Sequence, residues 1–140
     1  MATGFPTKAN WVSGDILTAS QMDDLAGTLN YAVGYMSVAA KTADYTAVLA
    51  DAYQVLITTN LGTAINFFIP TNATAAFPIG TVLSVMNIGA GTLSIKATTT
   101  GTTTVLSAGA VAATPTLGQY KSAACVKTAT DAWYVIGAVA

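Results

Sequence analysis

Any chemistry done by this chain would have to use a short list of groups. Its 140 residues include Asp as the only acid, Lys as the only base and a single cysteine, Cys125, with no His, Glu or Arg. General acid–base catalysis near neutral pH leans on His or on a tuned Glu, and bidentate binding of phosphate or carboxylate leans on Arg. Cleavage of a glycan would need a pair of carboxylates across the bond, so two Asp. Asp23-Asp24 could begin a metal site, but no His, Glu or third carboxylate stands near them in sequence, and they read as the solvated start of a helix. Cys125 lies between Ala124 and Val126 in a strand-like run and reads as a small core residue. No cofactor and no metal are expected. Gly89-Ala90-Gly91 is followed by a strand pattern and not by a helix, so it is no dinucleotide fingerprint. Asn72-Ala73-Thr74 matches a glycosylation acceptor only as a triplet. Tyr120, Trp133 and Tyr134 form either a platform on which a sugar ring could stack or a set of core or subunit-interface residues.

Composition narrows the classes further. Only 8% of the residues are charged while 53% are hydrophobic, and the net charge is −1 with no basic run. Affinity for a phosphate backbone comes mostly from clustered Lys and Arg, so no nucleic-acid partner is expected. No uninterrupted apolar run approaches the roughly eighteen residues of a membrane span, so a soluble protein without a membrane partner is expected. The N-terminus lacks the basic-then-apolar layout of a secretory signal, so the chain is expected to be made in the cytoplasm and not secreted. Surfaces of lone small domains carry about 25 to 35% charged residues. A chain this poor in charge is expected to hide much of its exterior in subunit contacts.

The elements that would position these groups fall into two parts, 1–43 and 44–140. Residues 1 to 15 read as an extended arm, because Pro6 and Gly14 discourage helix and Phe5, Trp11 and Val12 have no local element to bury them. Trp11 would dock on the domain's own sheet or reach a neighbouring protein. A helix then starts at Thr18, whose side chain and that of Gln21 form a capping box, with Leu17 stapled against Met22. Its apolar positions Met22, Leu25, Leu29, Ala32 and Met36 step by three and four residues. That stripe would pack on the sheet or against copies of itself about an oligomer axis, since two heptads containing Gly27 and Gly34 are marginal alone.

From Tyr45 onward the pattern is β. Short strands are expected at 44–49, 53–59 and Ile65–Ile69, then at Val82–Ile88 and Leu93–Ala97, which read as a central hairpin turning at Gly89-Ala90-Gly91. The glycines there would supply positive φ. Leu93, Ile95 and Ala97 alternate with Thr92, Ser94 and Lys96, a strand with one wet face. Val82, Leu83, Val85, Met86 and Ile88 put apolar groups on both faces, so Leu83 or Val85 is expected at an oligomer interface together with Met22, Leu25, Leu29 and Met36. A final hairpin spans 118–127 and 132–137. Short strands with a turn every eight to twelve residues predict a mainly β fold, an antiparallel sandwich or small barrel, preceded by the arm and one α-helix.

In this order, Tyr45-Thr46-Ala47-Val48-Leu49-Ala50-Asp51-Ala52, Ile69-Pro70-Thr71-Asn72, Phe77-Pro78-Ile79-Gly80-Thr81, Ile88-Gly89-Ala90-Gly91, Gly118-Gln119-Tyr120 and Trp133-Tyr134-Val135-Ile136-Gly137 resemble a β module of tailed-bacteriophage tail-fibre and virion-surface proteins. Trp11-Val12-Ser13-Gly14-Asp15-Ile16-Leu17-Thr18-Ala19 looks like the segment that opens many phage fibre and structural proteins. The resemblance implies a non-enzymatic virion-surface protein, a homotrimer by preference, and supplies no catalytic residues. One form is a capsid decoration or head-fibre protein held to a major capsid or tail protein by Phe5, Trp11 and Val12, with its β knob outward. Another is a tail-fibre or receptor-binding tip that recognises a host surface glycan or protein. A glycan depolymerase is the enzyme-class alternative.

Overall fold

The computed structural model describes residues 36–58, 62–107 and 114–140, and the chain divides between Met36 and Ser37. The predicted arm and helix, with Phe5, Trp11, Val12, Met22, Leu25 and Leu29, lie outside the described residues. Met36 is described, outside any helix and exposed. The second unit, Ser37–Ala140, is mainly β. It begins seven residues before the expected boundary, because Ser37–Lys41 is itself a strand, β1, paired with a later one.

The strands that follow are β2 (Tyr45–Thr46), β3 (Gln54–Thr58), β4 (Ile65–Ile69), β5 (Val82–Asn87), β6 (Leu93–Ala97), β7 (Thr104–Ser107), β8 (Thr116–Leu117), β9 (Lys121–Ala129) and β10 (Ala132–Gly137), with a 3₁₀ helix at Leu49–Tyr53. They form a six-stranded sheet in the order β1-β3-β5-β9-β10-β7 and a four-stranded sheet in the order β2-β4-β6-β8. The two sheets close on one core. Leu56, Leu83, Val85, Cys125, Trp133 and Val135 from the larger sheet meet Ile65, Phe67, Ile69, Leu93, Ile95 and Leu117 from the smaller.

The expected antiparallel topology is corrected. From β1 to β8 the chain alternates between the sheets, and up to β6 each returning strand lies beside the one two positions earlier and runs the same way: β1 with β3, β3 with β5, β2 with β4 and β4 with β6 are all parallel, whereas β7 goes to the far edge beside β10. Antiparallel pairing enters with β8 on β6, β9 on β5 and β10 on β9, and both sheets are mixed. The central hairpin is therefore an arch, with β5 and β6 in opposite sheets. Among the described residues, the hairpin of consecutive strands is β9–β10, where Asp131 takes φ of 53° and the register shifts between Ala132 and Trp133.

Buried Asn87 closes the arch. Its Nδ2 donates to the Gly91 carbonyl at 2.8 Å and the Leu117 carbonyl at 2.9 Å, and its Oδ1 accepts from the Gly89 amide at 3.1 Å. These bonds supply partners to backbone groups that leave the ladders at the turn. Gly91 is required for close approach and not for positive φ. A Cβ there would collide with the Thr63 carbonyl of the preceding arch, and the described glycines at positive φ are Gly80 and Gly137. The Ile65 amide donates to the Thr92 carbonyl at 3.1 Å, so successive arches stack backbone on backbone.

The expected place of Leu83 and Val85 at a subunit interface is also corrected. Both are buried inside the single chain, because on β5 they share the inward parity with Asn87 while Val82, Ser84 and Met86 face out. The period-2 reading of β6 holds, with Leu93 and Ile95 inside and Ser94 and Lys96 outside.

Gly91→Ala should unfold at lower denaturant, by about 1–3 kcal/mol for a backbone forced off its neighbour, whereas Gly62→Ala, with open space around the new methyl, should leave the midpoint nearly unchanged. Equilibrium urea titrations of the two variants check this.

Candidate interaction surface

The residues singled out for chemistry are held as parts of the frame. Cys125 is fully buried, and burial pushes its thiol up to about 12, so it carries almost no thiolate at neutral pH. Asp51, in the first turn of the 3₁₀ helix, is buried and accepts from the Val48 amide at 2.7 Å and the Tyr45 hydroxyl at 2.9 Å. Asp44 accepts from the Asn66 side chain at 2.9 Å and its backbone amide at 2.7 Å, and these two bonds, in that order, hold its carboxyl below the usual range. Asp131 accepts from the Asn72 amide and, at 3.2 Å, from the Thr103 hydroxyl. Among the described residues no group of His, Cys, Asp or Glu could hold a metal ion, and no helix is long and apolar enough to cross a membrane.

Lys127 is the polar residue that sequence reasoning missed. It is 2% exposed, and its Nζ donates to the Asn72 Oδ1 and to the Phe77 carbonyl at 2.6 Å. Phe77 sits edge-on to Trp133 with centroids 5.5 Å apart, and Nζ lies 6.0 Å from the Trp133 ring. The long β4–β5 connection is thereby tied to β9. Asn72, read as a glycosylation triplet, spends its side-chain oxygen here.

The aromatic platform is not assembled. Trp133 is 2% exposed and belongs to the core, because it shares the inward parity of β10 with Val135. Tyr134 faces out from β10, and Tyr120, 79% exposed, sits at φ of 60° in the turn before β9. Tyr134 pairs with Val126, and six residues of β9 separate that position from Tyr120, about 20 Å at a strand's rise.

The feature left on the surface is the outer face of the six-stranded sheet. Val38, Val82, Ser84, Met86, Ser122, Ala124, Val126, Tyr134, Ile136, Thr104 and Leu106 occupy its outward positions, and none of them is charged. Val38 and Ile136 are more than half exposed. At Val82 the face runs into an open apolar depression of about 640 Å³ that Leu49, Pro78 and Ile79 also line. Outward positions of the smaller sheet are mostly polar by contrast: Thr46, Asn66, Ser94, Lys96 and Thr116, with half-buried Phe68 among them. No family model, no curated protein and no solved structure matches this chain.

Lys127→Met keeps the stem but strands the Phe77 carbonyl and Asn72, and should cost about 2–3 kcal/mol, read as a thermal midpoint lower by roughly 10 °C. A second outcome concerns alkaline pH. Burial, and then the hydrogen bond to Asp51, raise the Tyr45 hydroxyl to about 12 from an ordinary value of about 10. Above pH 10 the unfolded chain loses this proton while the folded chain keeps it, so this contribution is complete below pH 10 and is lost as pH rises to 12. Denaturant midpoints measured across that window should fall more steeply for the natural chain than for Tyr45→Phe.

Proposed function

We propose that this chain is a structural protein of a tailed-bacteriophage virion, a homotrimeric capsid decoration or head-fibre protein with the β unit facing outward. An extended arm and the helix that follows it, within residues 1–36, fasten it to the particle through Phe5, Trp11 and Val12. The observation that carries this reading is the large uncharged sheet face on a chain that is 8% charged, a surface suited to assembly. The motifs behind the resemblance support it as well. Asn72, Phe77, Gly91 and Gly137, which lie in those motifs, occupy the clamps and close approaches of the sandwich. The described carboxylates are each engaged by backbone or side-chain donors, which disfavours the depolymerase alternative. A receptor-binding tail tip is the second reading and rests on exposed Tyr120 and Tyr134; burial of Trp133 between them in the expected platform favours decoration.

Purified chain added to particles lacking it should bind in hundreds of copies per particle, counted by quantitative mass spectrometry. Trp11→Ala should fold and associate normally yet bind at least tenfold more weakly, as loss of an aromatic anchor worth about 2 kcal/mol implies. A handful of copies would point to the tail, and undiminished binding of the variant would move attachment to the β unit.

A further inference from the structure

We infer that the outer face of the six-stranded sheet is the surface through which copies of this chain bind one another. The inference rests on the proposed assembly role and adds which face serves it and what occupies it. Six strands about 4.8 Å apart and roughly five residues long give a face of about 500 Å² in projection, more in accessible area once side chains stand out of the plane. A stable interface takes about 800 Å² of accessible surface from each partner, and the apolar depression at Val82 extends the face toward that figure.

Charge selects the partner. A nucleic acid, an anionic membrane or a strongly charged protein finds no counter-charge here, whereas an identical face brings no like charges together. Relief matches too. Small residues Ser84, Ser122 and Ala124 line a shallow hollow of about 370 Å³ on this face, and Ile136 stands beside it at 57% exposure. A projecting side chain next to a hollow large enough to take it is what a contact between copies needs, each copy filling the recess of the next around a three-fold axis. Three such faces about an axis enclose an apolar prism, which is the arrangement the homotrimer reading requires.

Sedimentation equilibrium of the full-length protein from 1 to 100 µM, with cooperative melting as the check on folding, tests the assignment. The natural chain should sediment as three chains of 14.1 kDa. Ile136→Lys should weaken association at least a hundredfold, as should Val38→Lys at the edge strand of the same face if the first variant fails to fold. Thr46→Lys, on the outward side of the smaller sheet, should associate like the natural chain. A dimer broken by the same face variants would uphold the face and overturn the three-fold reading. A monomer at every concentration, whether residues 1–35 or another protein covers the face, would overturn the inference. So would an oligomer indifferent to both face variants. Particle binding is measured separately and can fail without touching any of these results.

Discussion

A lysine side chain with its charged head inside a small β sandwich is costly, by several kcal/mol before compensation, and the fold is arranged to supply that compensation. Lys127 reaches across from β9 to the Phe77 carbonyl and Asn72, both in the twelve-residue connection between β4 and β5. That connection is the longest among the described residues, and β5 must leave it to take its place between β3 and β9 at the centre of the larger sheet. The backbone completes the attachment: the Gly80 amide donates to the Lys127 carbonyl at 2.8 Å and the Lys127 amide to the Thr81 carbonyl at 2.9 Å. Asp131 joins from the other side by accepting from the Asn72 amide and the Thr103 hydroxyl, so the β9–β10 turn, the connection and the entry to β7 share one polar centre. Phe77 and Trp133 pack beside it and keep water away from bonds that gain strength in a low dielectric.

Alternate winding between two sheets explains the rest of the polar economy. Each arch takes the chain out of one ladder and into the other, leaving backbone groups that must find partners nearby. Asn87 serves the β5–β6 arch with one amide side chain, and Asp51 serves the turn after β2 by accepting from the Val48 amide and from Tyr45, whose ring stacks 6.5 Å from Phe67. With Asn87, Asp51 and Lys127 committed to the interior, the outward positions of the larger sheet hold no charge. The scarcity of charge in the chain and the character of that face are two views of one property, the one on which the proposed assembly role rests.

The sequence by itself determined the β class, the single buried cysteine, the inward set Leu93 and Ile95, the last hairpin and the bounds of β4, because period-2 burial and Pro70 are local signals. Strand β1 was not legible, since Ser37-Val38-Ala39-Ala40-Lys41 carries little β-branched character and is ordered by its parallel partner β3. Whether Val82–Asn87 and Leu93–Ala97 form a hairpin or an arch was decided only in three dimensions: both need a glycine turn between apolar strands, and the choice rests on Asn87 reaching Leu117, thirty residues away. Trp133 and Tyr134 were equal candidates for a surface platform until β10 took its register against β9, which sends neighbouring side chains to opposite faces. Lys127 likewise counts as a surface charge in any composition. Only the crossing of the β4–β5 connection over β9 makes it an interior donor, because hydrogen-bond partners fifty residues apart leave no trace in local spacing.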